Sequence, residues 1–233
     1  MMHKQVIEFW FDEIEPVMWF KKDDDFDRLL HSRFGEIWRA AAAGELAHWR
    51  DTIEGRLAEV IVLDQFSRNL FRGTPQSFAC DGMALVLAQE AIRSGECERL
   101  SREQRGFLYL PFMHSESPLI HQQALVLYTE LNNGDQLEFE LRHKAIIDRF
   151  GRYPHRNAIL GRISTPEEEA FLRQPGSGFN RRIICARPGK NSRPGATISV
   201  TQRERLFHYA MPLFPLAKLP IIPAALSAVC RFL

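Results

Sequence analysis

Apolar residues recur at helical spacing through residues 1–173, and sustained period-2 alternation does not occur there. The breaks in the pattern carry helix punctuation. Thr74-Pro75, Ser117-Pro118 and Thr165-Pro166 each set a capping hydroxyl before a proline, the preferred chemistry of N-cap and N1. Ser101 with Gln104, and Thr165 with Glu168, have capping-box spacing. Gly73, Gly95, Gly134 and Gly151 stand where helices should stop. The predicted helices span residues 3–12, 24–43, 52–72, 76–94, 101–112, 118–132, 135–150 and 165–173. Short connections between them predict an all-α body of stacked antiparallel helical hairpins.

The spacing of successive helix pairs is loosely tetratricopeptide-like, although the Trp-Leu-Gly-Tyr pattern of that repeat is missing. After residue 179 the pattern stops. The string NRRIICARPGKNSRPGATISV has no helical period, and the apolar stretch that follows contains Pro212, Pro215, Pro220 and Pro223. This divides the chain into a helical domain, residues 1–179, and a basic, proline-rich tail, residues 180–233, expected to be disordered or loosely packed. The tail reads either as an appended interaction segment or as a region under little selection for folding.

Composition sharpens the division. The net charge of +1 conceals nine basic residues and one acidic residue in 181–233, which leaves −7 on the first 180 residues. An acidic body argues against nucleic acid as a partner, since phosphates require a positive face. The four prolines of the apolar stretch would break a spanning helix, so no membrane partner is expected. Cys80, Cys97, Cys185 and Cys230 have no CxxC spacing, and the N-terminal apolar residues are interrupted by Glu8, Asp12 and Glu13. Reduced thiols in a cytoplasmic protein are the expectation.

Polar groups on apolar faces supply the candidate chemistry. Asp64 and Arg68, four apart, fall among Ile53, Leu57, Val60, Ile61 and Phe71. They read either as a buried ion pair fixing helix register or as a charged group in a pocket. Glu140 and His143 form an E-x-x-H pair, with His143 inside the arc of Phe139, Ile146, Ile147 and Phe150 and Glu140 at its edge. A helical carboxylate metal site needs a second such motif and two further glutamates, which are not found, so no metal and no cofactor is expected. His114 and Glu116 lie at a helix junction that could hold a base beside a cleft. Arg152, His155, Arg156, Asn157 and Arg162 surround Gly151 and Pro154, and read either as an anion site beside a restarting helix or as an arginine face answering the acidic body.

The strings LDQFSRNLFRGTPQSFACD, FLYLPFMHSE and ELRHKAIIDRFGRYPHRNAILGRISTPEEEAFL resemble the hallmark segments of a mainly bacterial family, the domain of unknown function numbered 924. The resemblance covers about residues 4–179 and implies a tetratricopeptide-like helical fold without an assigned chemistry. Its hallmark polar positions correspond to Asp64, Gln65, Arg68, Asn69, Arg72, His114, Glu116, His143, Arg152, His155, Arg156 and Asn157. The tail departs from the family pattern.

Two functional readings follow. One is a binding module that holds a peptide or small anionic ligand in a polar cleft, with Asp64, Arg68, Arg72, His114, Glu116, His143, Arg152, His155, Arg156 and Asn157 as its candidate residues. The other is a hydrolase-type enzyme with a histidine base and arginine anion clamps. The discriminating expectation is convergence: a site requires His114 and His155 to face one cavity.

Overall fold

The structure, a computed structural model, describes residues 2–177. The tail, the boundary after residue 179, and Cys185 and Cys230 lie outside the described residues. Among the described residues every regular element is helical. The α-helices are α1 (Met2–Glu8), α2 (Asp24–Ala42), α3 (Ile53–Ile61), α4 (Ser67–Leu70), α5 (Asp81–Arg93), α6 (Arg102–His114), α7 (Pro118–Leu131), α8 (Gly134–Phe150) and α9 (Pro166–Leu172).

The expected helices are present, with instructive differences. Of the expected helix 52–72, residues 53–70 form one continuous helical rod, but π-turns at Val62–Phe66 separate α3 from α4. A second π-turn, Phe9–Glu13, extends α1. Helix α5 begins at Asp81, after a 3₁₀ turn at Pro75–Phe78. Further 3₁₀ turns at Pro16–Phe20 and Ala47–Asp51 are too short to produce a period in the sequence. Both capping boxes form. Thr74 and Ser117 occupy N-cap positions without making a side-chain cap bond. Gly134 opens α8 rather than ending α7; Asn132, at φ 53°, makes that left-handed stop instead.

The core is continuous from α1 to α8. Phe9 packs on Phe34 (ring centroids 4.9 Å apart), Phe34 on Phe66 (5.2 Å) and Trp19 on Phe107 (5.0 Å). The Trp19 indole N–H donates to the Trp10 carbonyl at 2.7 Å, so this buried aromatic keeps its polar atom satisfied. Helices α5, α6, α7 and α8 pack consecutively, as hairpins must. The central rod departs from a simple stack. Helix α3 meets α1, α5 and α6, and α4 meets α2, whereas each unit of a solenoid contacts only its neighbours.

Gly55 shows how closely the rod is held. A Cβ there would lie 1.9 Å from the Trp49 carbonyl oxygen, so only glycine fits where the Ala47–Asp51 turn crosses α3. A smaller apolar cluster, Ile146, Ile147 and Tyr153 with Phe150 and Phe171, fastens the chain after α8. It holds the 3₁₀ turn Pro154–Arg156 against the body, and the candidate site forms at this seam.

Candidate functional site

The site is built on the π-turn of the central rod. Asp64, within that turn, is buried, and its Oδ1 lies 2.8 Å from His114 Nδ1 and 3.1 Å from Arg68 Nη1. Gln65 donates to Oδ2 at 2.6 Å. Arg68 Nη1 also donates to the Asp64 carbonyl at 2.6 Å. Burial opposes ionisation of Asp64, but Arg68 and the His114 ring outweigh it and hold the carboxyl well below the usual range. An ionised carboxylate can only accept, so the hydrogen lies on His114 Nδ1 and Nε2 is left for any other partner.

Asp81, the first residue of α5, joins the rod to the turn after α8. Arg68 Nη2 donates to its Oδ2 at 3.1 Å, and Arg156 Nη1 donates to the same oxygen at 3.2 Å. Arg156 Nη2 donates to the His114 carbonyl at 2.9 Å. The Arg156 guanidinium stacks on both Phe78 and Tyr153, 4.6 Å from each ring centroid. Its Nε is buried and has no acceptor among the described residues. Burial and the nearby Arg68 charge lower the Arg156 pKa.

A cavity of about 150 Å³ is lined by Arg68, Phe78, His114, His143, Tyr153, His155 and Arg156. A second, of about 320 Å³, shares Phe78, His114 and Arg156 and continues past Pro75, Ala79, Gly82, Leu85, Pro111 and Leu160, with Asp81, Ser115 and Glu116 also on its wall. All three histidines of the smaller cavity are driven toward the neutral form. Burial is the largest cause for His114, with the Arg68 charge next. It pushes His143 well below its ordinary value and, with Arg156 beside it, His155 down to about 4. The two arginines face Asp64 and Asp81, so near neutral pH the site carries balanced fixed charge and three uncharged imidazoles.

The residues singled out in the sequence thus separate into three groups. Arg68, His114, His143, His155 and Arg156 line the smaller cavity, and Asp64 is buried in contact with Arg68 and His114 without lining it. Glu116 reaches only the larger one, where it accepts two bonds from Arg162 (2.6 and 2.9 Å) and one from the Tyr153 N–H (2.8 Å). Arg72, Arg152 and Asn157 line neither cavity. Arg72 makes two bonds to Asp27, which also accepts from Asn69. Arg152 and Asn157 both bond to Glu168 of α9. The Pro154–Arg156 turn is too short to act as a helical anion site. The Glu140–His143 pair is also divided: Glu140 is the fully buried member, 2.7 Å from His121 Nδ1, whereas His143 turns toward Tyr153 and the cavity. Glu140 is drawn inward because His121 on α7 offers it a buried partner. Among the described residues, no three His, Cys, Asp or Glu side chains group as metal ligands, and no helix is long and apolar enough to cross a membrane.

The profile of a family described as bacterial protein of unknown function, DUF924, matches residues 6–176, which include every residue of this site. The chain belongs to that family. It is similar to the solved structure of a protein of unknown function from Agrobacterium tumefaciens, with 42% identity and a TM-score of 0.71, over 74% of this chain and 97% of that one. No curated protein matches it.

Four residues of this DUF924 domain matter to the site and escaped the sequence reading. Asp81 ends the string LDQFSRNLFRGTPQSFACD inside the predicted helix 76–94, with no spacing that ties it to Arg68 or Arg156. Phe78 and Tyr153 are aromatic residues that no motif or period marks out. His121 did carry a signal: with Ala124, Tyr128 and Leu131 it lies on the buried stripe of α7, a polar residue on an apolar face. Its Nε2 is 2.8 Å from the Ser115 carbonyl and 3.2 Å from the Tyr153 hydroxyl, which itself donates to the Met113 carbonyl at 2.6 Å. This buried network pins the junction that carries His114 and Glu116.

Proposed function

We propose that the domain binds a small anionic ligand between the central rod and the Pro154–Arg156 turn. The observation that carries this reading is the Arg156 guanidinium: it lines both cavities, is buried, and keeps an Nε–H with no acceptor among the described residues. A buried charged donor left unmatched costs more than an ordinary missing hydrogen bond, and a ligand oxygen would supply the acceptor. A cavity of about 150 Å³ suits a compact headgroup better than a peptide. The test is NMR titration with acetate, read at the imidazole resonances of His114 and His155. Saturable shifts that vanish in Arg156→Lys support the reading; no saturation in the unaltered protein overturns it.

A second reading, acid–base hydrolysis, draws support from the Asp64–His114 contact of 2.8 Å. A buried carboxylate on Nδ1 fixes the ring and leaves Nε2 to take a proton, with Arg68 and Arg156 available to an oxyanion. Hydrolysis of p-nitrophenyl acetate that is lost in His114→Gln is the expected result under this reading, and equal rates in the two proteins would exclude it.

A further inference from the structure

The two cavities differ in chemistry and share a wall. The smaller is polar, with two guanidinium groups and three imidazoles; the larger is walled largely by apolar side chains, among them Pro75, Leu85, Pro111 and Leu160. Phe78, His114 and Arg156 belong to both, so a group held by Arg156 stands at the boundary. From this juxtaposition we infer that the ligand is an amphipathic monocarboxylic acid, its carboxylate in the smaller cavity and its apolar tail in the larger. The inference rests on the anion reading above and specifies its substrate class.

Charge fixes the head as a monoanion. Among the described residues the Arg156 Nε–H is the one guanidinium donor on the shared wall without an acceptor, so the site offers a charged donor to one anionic group. Arg68 and Arg156 already face Asp64 and Asp81 and the surrounding imidazoles are neutral, so a second negative charge would meet neither a donor nor a cation. Charge also fixes the tail. Asp81 and Glu116 stand on the wall of the larger cavity, and a second carboxylate on the ligand would face them. An aliphatic chain or a single ring meets Leu85, Leu160 and the prolines instead and removes their apolar surface from water.

The experiment titrates the full chain with acetate, butyrate, hexanoate and octanoate at fixed pH and ionic strength, again reading histidine resonances. Affinity should rise about fourfold for each methylene that enters the larger cavity, then level off once the chain outgrows it. Gly82 offers a place for a block: a Cβ there meets nothing within 4 Å, and the residue lines only the larger cavity. Gly82→Phe should leave acetate binding intact and abolish the gain with chain length. Saturable acetate binding with affinity flat across the series would overturn the amphipathic inference and leave the anion reading standing. Hexanoate binding unchanged by Gly82→Phe, in a protein that melts as the unaltered one does, would overturn it equally. Absence of saturable binding by every acid, acetate included, would remove the anion reading and the inference with it.

Discussion

Asp64 Oδ1 and His114 Nδ1 lie 2.8 Å apart, joining the π-turn of the central rod to the last residue of α6. Neither group is at home there alone. The carboxylate is buried and anionic, and the ring is held neutral by burial and by Arg68. Each supplies what the other lacks: a donor for the carboxylate, and a fixed tautomer for the imidazole. The same carboxylate anchors Arg68, and through Asp81 the contact extends to Arg156. The four charges therefore stand or fall as a unit.

Removing one member should expose that dependence. Arg68→Ala leaves Asp64 buried with no cation beside it, and breaking such a pair typically costs about 3–5 kcal/mol. Urea denaturation should show a markedly lower midpoint. Arg68→Lys, which keeps the charge but not the two-armed geometry reaching Asp64 and Asp81, should fall in between. A stability equal to that of the unaltered protein in Arg68→Ala would mean that solvent already screens Asp64.

The histidines make stability depend on pH in a defined direction. In the unfolded chain they take up protons near pH 6.5, but in the folded protein His155 resists until about 4, and His143 also lies well below its ordinary value. Between these limits the unfolded state binds more protons, so stability falls as the pH drops from about 6.5 toward 4. Each such histidine contributes about 1.4 kcal/mol per pH unit within its window. His155→Asn should flatten the curve of denaturation midpoint against pH over this range. A wild-type curve already flat between pH 6.5 and 4 would contradict the burial of these rings.

Two glycines should respond oppositely to a single methyl group. At Gly55 the added Cβ would strike the Trp49 carbonyl, which is backbone; at Gly106 it would strike the end of the Gln136 side chain, which can swing away. Gly55→Ala should destabilise by about 1–3 kcal/mol or more, in the range of overpacked cores. Gly106→Ala should cost little, since alanine also favours the helix. Similar melting temperatures for the two variants would refute the distinction.

How far the site could be read from the sequence depended on whether the signal was local. The helices were legible because caps and apolar period act within one segment: Ser101 with Gln104 and Thr165 with Glu168 announce their own starts. Asp64 and Arg68 were legible as charges on an apolar face. Their common partner was not, because Asp81 comes from another helix and no spacing rule ties it to residue 68. The order of Glu140 and His143 was misread for the same reason. One-helix geometry put His143 inside and Glu140 at the edge, whereas the buried His121 on α7 draws Glu140 inward. The arginine-rich run 152–162 looked uniform, yet tertiary contacts divide it. Arg156 goes to Asp81, Arg162 to Glu116 and Arg152 to Glu168.

That last division gives Glu168 a task beyond capping α9. Its carboxylate accepts from Arg152 Nε and Nη2 at 2.6 and 2.7 Å, from Asn157 Nδ2 at 3.2 Å and from the Thr165 N–H at 2.8 Å. The bonds from Arg152 are the main reason that its pKa is lowered to about 2. Arg152 and Asn157 flank the turn that carries His155 and Arg156, so Glu168 clamps both ends of the segment that completes the site. Thr165→Ala should remove the cap bond alone and cost about 1 kcal/mol. Glu168→Gln also weakens the Arg152 and Asn157 contacts and should lower the denaturation midpoint further, while amide hydrogen exchange speeds up across residues 152–162. The acid response should differ as well. In the unaltered protein the Glu168 contribution is present above about pH 4.5 and is lost as the pH falls toward 2, because the unfolded carboxyl then binds a proton that the folded one refuses. Glu168→Gln has no such proton to bind, so its stability should fall less steeply over that interval. Equal midpoints for Thr165→Ala and Glu168→Gln, with unchanged exchange at 152–162, would reduce Glu168 to a helix cap.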